Sequence, residues 1–338
     1  MNYSENPYEN RTLIVLVNYK RPADTVECVK SLLNQTSRNW DCVIYENGSG
    51  DNSYSQIIDG LSLLHEEFEI SLRHKSFDHI NFTQLSTNNS LQIKLTIIEG
   101  SDNLGFAGGN NAAVKFIKAC CVEERYKYFW FLNNDTTVAQ DCLTEFVRFY
   151  ENEENSKVGI CGGTILYQDN PDTIQCLGGA TYSKCLGLIQ EVENGNKFTS
   201  DILNKNISLD YISGASMFTT KEFLNYVGLM EESYFLYYEE LDWATRATQN
   251  GFSLGYANKA LIWHKEGSVL GSGKAISRSS LAEFYGLRSR LKFTRKFYPY
   301  YLPIIWLIGA LQLISKLVKG KPKNAYSLFN ALLFKKNL

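Results

Sequence analysis

Short, wholly apolar runs alternate along this chain with polar stretches whose apolar residues recur at helical spacing. Thr12 to Val17 (TLIVLV) is unbroken and stops at Asn18-Tyr19-Lys20-Arg21-Pro22, after which Val26, Val29, Leu32 and Leu33 mark one helix face. Proline suits the first turn of such a helix. Cys42 to Tyr45 is a second run, ending at Glu46-Asn47-Gly48-Ser49-Gly50-Asp51, and Leu95 to Ile98 is a third. Tyr128 to Leu132 is the fourth, and it stops at Asn133, Asn134 and Asp135. Runs this short read as buried strands of a parallel sheet. The pattern predicts an α/β chain whose polar loops gather at the carboxyl ends of the strands, where ligands collect.

Other stretches predict what surrounds that sheet. Residues 61–91 are polar and hold His65, His74 and His79, whose spacing fits no metal pattern. They are expected to form a solvated insertion that lengthens a surface loop. Gly100 to Asn111 is glycine-rich, and a helix is expected from about Ala112, with Gly105, Gly108 and Gly109 letting backbone approach a ligand. Further on, Gly159 to Leu166 predicts a strand, and Thr173 to Val192 predicts hairpins turning at Gly178-Gly179 and Gly187. Tyr211 to Phe218 predicts a strand with small residues where something passes close by. A helix running through Arg246 to Gln249 should end at Asn250-Gly251. Leu261 to His264 ends a strand before a glycine loop, residues 265–273, that is expected to act as a mobile lid.

Composition narrows the class. The 338 residues are 44% hydrophobic and 21% charged, as in a globular protein. Eight cysteines lie scattered without a CxxC pair, and MNYSENPYENR lacks the apolar core of a signal peptide. This is read as a reduced, cytosolic chain. GxGxxG and GxxxxGK[ST] are both absent, which disfavours a dehydrogenase or a P-loop kinase.

Charge is uneven. The net charge is −2, yet residues 274–338 carry 13 Lys or Arg against the single acid Glu283. Within that tail, Phe297 to Ser315 is 19 residues without a charge, broken by Pro299 and Pro303 and flanked by basic residues. An apolar stretch with aromatics and basic flanks suits a helix lying in an anionic membrane face, in preference to a spanning helix or to nucleic-acid binding. Packing against the catalytic body, or pairing with a second copy as a homodimer, are the alternatives.

Two clusters carry candidate chemistry. Asn133, Asn134 and Asp135 follow the strongest apolar run, and a hard cation binds one or two carboxylates and completes its shell with phosphate and water. The same residues also make good turn chemistry. Glu239, Glu240 and Asp242 follow four aromatics and open a helix, with Asp242 and Arg246 an i,i+4 pair. Carboxylates there can simply cap the helix. One can also stay ionised as a general base, beside aromatic faces for sugar rings.

Taken in order, seven motifs resemble one family. They are LVNYKR (16–21), VIYENGSGDNS (43–53), NLGFAGGNNAA (103–113), FLNNDTTV (131–138), YFLYYEELDWATRA (234–247), WHKEGSVLG (263–271) and EFYGLRSRLKFTRK (283–296). Together they resemble inverting family 2 glycosyltransferases, in particular bacterial rhamnosyltransferase-like enzymes of surface-polysaccharide assembly. The resemblance implies a GT-A type, Rossmann-like mixed sheet flanked by helices, with a C-terminal amphipathic, membrane-associated helical extension. Residues 1–140 would be the nucleotide-sugar-binding half, 141–296 the acceptor-binding and catalytic half, and 297–338 the membrane-associating tail.

The resemblance also implies roles. Tyr19 would line the base pocket, with Glu46 where the family has an aspartate that hydrogen-bonds the base. Asn103, Gly105 and Gly109 would line the ribose and diphosphate, and Asn18, Arg21, Asn47, Asn133 and Asn134 belong to the same nucleotide pocket. Asp135 keeps the carboxylate of a DxD metal motif, and His264 would be a further ligand to Mn²⁺ or Mg²⁺. Glu240 matches the catalytic base, with Glu239 and Asp242 remaining as alternatives. The implied activity moves a sugar from a dTDP- or UDP-linked donor to a lipid-linked saccharide acceptor at the cytoplasmic face of the inner membrane. A nucleotide-sugar pyrophosphorylase and an inactive, transferase-derived carbohydrate-binding module are the competing readings.

Overall fold

A computed structural model describes residues 10–64, 70–77, 80–87, 92–120, 122–265 and 279–334. The N-terminal residues 1–9, His65, His79, Cys121 and the expected lid from Glu266 to Gly273 lie outside the described residues.

The apolar runs form the strands they predict. In chain order these are β1 (Arg11–Asn18), β2 (Trp40–Glu46), β3 (Ile70–Phe77), β4 (Ile80–Thr87), β5 (Lys94–Glu99), β6 (Tyr126–Asn133) and β7 (Thr136–Val138). The remaining strands are β8 (Val158–Tyr167), β9 (Ile174–Leu177), β10 (Gly179–Ser183), β11 (Leu188–Glu191), β12 (Tyr211–Ile212), β13 (Ser216–Thr220) and β14 (Ser253–His264). The helices are α1 (Pro22–Leu33), α2 (Ser53–Ser62), α3 (Gly105–Ala119), α4 (Cys142–Glu151), α5 (Lys221–Val227), α6 (Glu239–Gln249), α7 (Ser280–Phe297), α8 (Leu302–Val318) and α9 (Pro322–Leu332).

One 11-stranded mixed sheet runs β3-β4-β5-β2-β1-β6-β13-β8-β14-β7, with β9 beside β8. Its parallel centre is in register at the ligand-binding end. Asn18 pairs with Glu46, Glu46 with Glu99, and Val17 with Asn133, so four polar loops leave the sheet at one edge. Buried residues form one cluster on each face, Ile14, Leu16, Trp130 and Phe146 on one side and Leu13, Val15, Phe131 and Trp243 on the other. A second, three-stranded sheet, β11-β10-β12, stands off the main one.

Three expectations are corrected here. Residues 61–91 are not a loop insertion, because β3 and β4 form an antiparallel hairpin that extends the sheet through β5. Thr83, Leu85 and Thr87 alternate inward and are buried. Threonine is a good strand former that reads as polar, which hid the period of two. The helix expected from Ala112 begins at Gly105, so the glycines lie inside it. A Cβ on Gly109 would stand 2.8 Å from Val17, so that glycine brings α3 down onto β1. Packing here outweighs the poor helix propensity of glycine. Tyr211 to Phe218 is two strands, β12 and β13, separated by a turn at Gly214.

The C-terminal segment divides its surfaces. Phe284, Leu287 and Leu291 of α7 pack with Ile305 of α8 and Leu328 and Leu332 of α9, against Phe235, Leu236 and Tyr237. Ile304, Trp306, Leu307, Leu311, Ile314 and Val318 of α8 face outward and are exposed. Among the described residues Pro299–Val318 alone is long and apolar enough to cross a membrane, and 11% of its apolar window is buried.

Candidate active site

The turn after β6 is held from below. Thr136 Oγ1 donates to the Asn133 carbonyl at 2.7 Å. Asn134 is buried, its amide donating to Thr25 Oγ1 at 2.8 Å and to Asn18 Oδ1 at 3.3 Å. Cys28 lies beneath the same turn, and burial pushes its thiol up to about 12, so it is no nucleophile. The turn leaves Asp135 beside His264. Asp135 Oδ1 and His264 Nε2 are 3.2 Å apart, and His264 Nδ1 lies 2.9 Å from Gln175 Oε1.

That arrangement bears on a cation. With Gln175 Oε1 as the acceptor, the proton of this contact sits on Nδ1, and in that tautomer the Nε2 lone pair faces the carboxylate oxygen. Two acceptors face to face need a proton or a cation between them. Two ligands about 2.0 to 2.2 Å from one metal at a right angle stand roughly 3 Å apart, which this pair matches. Among the described residues no group of three His, Cys, Asp or Glu could hold a metal. A cation held by this pair would take its remaining ligands from phosphate and water. Lys265 follows immediately and reaches back to α1, its Nζ 2.9 Å from Asp24 Oδ1 and 2.5 Å from Glu27 Oε2. Burial opposes the ammonium charge, but the hydrogen bonds it donates to the Glu27 and Asp24 carboxylates outweigh that and raise the pKa.

The second cluster is set by strained backbone. Phe235, Tyr237 and Tyr238 have φ of 67°, 66° and 74°, where L residues rarely sit. Such strain persists only when neighbours over-determine it. Here the Phe106 N–H donates to the Phe235 carbonyl at 3.0 Å, and Ser289 Oγ to the Leu236 carbonyl at 2.9 Å. Gly105, at φ +75°, admits this loop, since a Cβ there would lie 2.2 Å from the Phe235 oxygen. The loop opens α6 at Glu239.

The three carboxyls of α6 differ. Asp242 is fully buried and accepts from Arg246 Nε (2.8 Å), Lys296 Nζ (2.6 Å) and Tyr234 Oη (2.9 Å), so it is already committed to two cations and a phenol. Glu239 is 1% exposed, and its Oε2 has no partner among the described residues. Burial, with Glu240 adding to it, raises its pKa well above the carboxylate range. Glu240 is half-buried, and burial lifts it to about 7. A Cβ on Gly214 would fall 2.3 Å from Glu240 Oε1, and Ala215, next along, accepts the Asn133 N–H at 3.0 Å. The Gly214 turn thus links Glu240 to the Asp135 corner.

Expected nucleotide-pocket residues divide into linings and braces. Asn47 is buried, its amide donating to the Gly105 carbonyl (3.1 Å) and Asn103 Oδ1 (3.2 Å) while its Oδ1 accepts the Leu104 N–H (3.0 Å). Asn103 Oδ1 also accepts the Gly105 N–H. Glu46 is buried, accepting the Ser49 N–H at 3.0 Å and the Ser49 hydroxyl. Asn18, Asn47 and Asn134 brace the loops, although Asn18 keeps Nδ2 without a partner. Tyr19 is half-buried with Lys20 Nζ 5.3 Å from its ring centre, and Arg21 Nε binds Asp24 at 2.7 Å. Gln175 gave no signal in the sequence, Ser49 and Lys296 lay inside the quoted motifs without an assigned role, and Gly214 lay in a run already marked by its small residues.

Sheet, helices and polar corner together define a GT-A type α/β fold. The pattern of glycosyl transferase family group 2 matches residues 128–332, more than half of the chain, and the chain belongs to that family and is a glycosyltransferase. Among solved structures it is similar to the mannosyltransferase PcManGT from Pyrobaculum calidifontis, in complex with GDP-Man and Mn²⁺. That likeness has a TM-score of 0.53 and 12% identity, covering 97% of this chain and 87% of that one. TarS from S. aureus, residues 1–349, has a TM-score of 0.48 and 13% identity over 83% of this chain and 64% of that one. No curated protein sequence matches.

Proposed function

We propose that this glycosyltransferase moves a sugar from a dTDP- or UDP-linked donor to a hydroxyl of a lipid-linked saccharide, inverting the anomeric carbon in one displacement. The carrying observation is that, of the three carboxyls opening α6, Glu240 alone is neither sealed nor paired among the described residues. Near pH 7 it is partly ionised and can take the acceptor hydroxyl's proton as that oxygen attacks. Asp242 positions it, by tying the helix start to Arg246 and Lys296. Tyr19 and Glu46 flank the base, and Asn47 and Asn103 hold the loop that opens α3 beside the ribose and diphosphate. Asp135 and His264, the latter steered by Gln175, would hold Mn²⁺ or Mg²⁺. The cation would supply charge neutralisation for the departing diphosphate.

The exposed apolar stripe of α8, followed by Lys319, Lys321 and Lys323, supports peripheral attachment to the cytoplasmic face of the inner membrane. PcManGT, seen with GDP-Man and Mn²⁺, agrees with a nucleotide-sugar and a divalent metal. The test is a thermal-shift panel of UDP-, dTDP- and GDP-sugars with Mn²⁺, Mg²⁺ or EDTA, since a ligand bound to the folded state raises the midpoint. A metal-dependent rise with dTDP- or UDP-sugars is expected. No shift with any donor would overturn the reading.

A further inference from the structure

We propose that Arg290 is the anion-binding residue of an acceptor site, holding a phosphate of the lipid-linked acceptor where α7, α8 and the β10–β11 turn meet. This rests on the transferase reading above.

Arg290 is 7% exposed. A guanidinium keeps its charge at every physiological pH, and a buried charge is costly without an anion beside it. Among the described residues Arg290 makes one side-chain hydrogen bond, from Nη2 to Gln312 Oε1 at 2.7 Å. Among the described residues its Nε is buried without a partner, and no carboxylate stands within ion-pair distance. The other deeply buried arginine, Arg11, grips Asp41 with two nitrogens at 2.8 and 3.2 Å. Arg290 has the donors for the same fork, and among the described residues only the neutral Gln312 Oε1 receives one of them. Planar, paired N–H groups match phosphate oxygens.

Its position says which phosphate. The site of a Cβ on Gly187 is 2.7 Å from Arg290 Cδ and 2.9 Å from Ile305 Cδ1, so hairpin turn and both helices converge there. On one side, Tyr238 Oη donates to the Gly187 carbonyl at 3.1 Å, and Tyr238 immediately precedes Glu239 and Glu240. Tyr182, edge-on to Tyr238 at 6.1 Å, is buried, and its hydroxyl lies beside the Thr294 hydroxyl and near the Arg290 charge. On the other side, α8 carries Trp306, Leu307, Leu311 and Ile314 into solvent. A cation between a candidate sugar base and an exposed apolar stripe repeats the order of a lipid-linked acceptor: sugar, phosphate, hydrocarbon.

The test uses the full chain and calorimetry, with farnesyl diphosphate below its micelle concentration and inorganic pyrophosphate as probes in EDTA, and UDP as the probe with Mn²⁺ present. Wild type should bind farnesyl diphosphate more tightly than pyrophosphate. Arg290→Gln should weaken farnesyl diphosphate about 10- to 100-fold, the worth of a charge-assisted hydrogen bond to phosphate, and leave UDP binding unchanged. Arg290→Lys should recover part of the loss. If Arg290→Gln does not fold, Tyr182→Phe provides the second arm, with a several-fold loss expected. Undiminished farnesyl diphosphate binding in a folded Arg290→Gln variant would overturn the site, and pyrophosphate binding as tightly would overturn the lipid-linked occupant. UDP binding distinguishes the failures: if present while these outcomes occur, only this inference falls, and if no nucleotide binds even with Mn²⁺, the transferase reading falls with it.

Discussion

The two ends of the central sheet treat buried charge in opposite ways. At the amino ends of the parallel strands, Arg11 of β1 and Asp41 of β2 are both buried, and Asp41 also accepts the Lys94 N–H at 2.8 Å and the Tyr126 hydroxyl at 2.9 Å. Burial alone would raise the Asp41 carboxyl further, but Arg11 and these donors work against it. At the carboxyl ends, among the described residues, Glu239 has an oxygen with no partner, Glu240 pairs with no cation, and Asp135 faces an imidazole nitrogen. At the amino end the two buried charges neutralise each other, although Arg11 Nη1 has no partner among the described residues. Incompletely satisfied charge is left where a substrate, proton or cation can complete it, as functional sites are expected to show.

The largest expected effect tests the satisfied end. Asp41→Ala leaves Arg11 buried without its carboxylate, and breaking one partner of a buried pair costs about 3–5 kcal/mol. Urea unfolding should show that loss, while the nucleotide affinity of the protein that remains folded stays as in wild type. A large affinity change with unaltered stability would mean that the two ends are not separable in this way.

Next in size is the base. Glu240→Gln keeps the shape beneath Gly214 and removes the proton acceptor, so turnover should fall by about 10²-fold or more with donor affinity nearly unchanged. Asp242→Asn should instead unfold at lower denaturant, because Lys296 and Arg246 lose their shared anion. Near-normal turnover in Glu240→Gln beside a folded, inactive Asp242→Asn would move the base two residues along α6.

How much of this was legible in the sequence follows from what each residue type announces. The strands β1, β2, β5 and β6 were plain because wholly apolar runs have few other uses. The hairpin β3–β4 was not, since threonines such as Thr83 and Thr87 face inward yet count as polar. The extension from Phe297 was read as a membrane tail, and its outer stripe is exposed, but its inner face packs on Phe235 to Tyr237 beside the candidate base. Carboxylates could be listed from the motifs. Which of them is committed could not, because Lys296 reaches Asp242 across 54 residues and Gln175 reaches His264 across 89. Long-range partners leave no local periodicity.

The Asp135–His264 corner gives a smaller effect. Gln175→Leu should cost about 10- to 100-fold in Mn²⁺ affinity by releasing the imidazole, the usual worth of such an orienting contact, with His264→Ala at least as severe. Mn²⁺ should serve at least as well as Mg²⁺, which prefers an all-oxygen shell. Calorimetric titration of UDP with each ion or with EDTA checks this. Affinity indifferent to EDTA would leave the corner as a turn with a structural histidine.

The smallest effect concerns pH, and there activity and stability should move in opposite directions. Burial raises Glu240 from an ordinary 4.5 to about 7, so between those values the folded chain holds a proton that the unfolded chain has released. Stability tied to this group is therefore fully present below pH 4.5 and is lost as the pH rises through 7. The base, in contrast, needs its ionised form, so turnover should climb over the upper part of the same window. Glu240→Gln removes the penalty because its amide never ionises. At pH 8 the variant should be more stable than wild type by on the order of 1 kcal/mol, the shift being discounted because Glu240 is only half-buried. Below pH 5 the two should unfold together. Thermal melts of both proteins from pH 5 to pH 8, set beside the wild-type pH–rate profile, check the sign. Parallel melting curves across that range would mean that Glu240 titrates as an ordinary solvated carboxylate, and would remove the contrast between the two ends of the sheet at its most specific point.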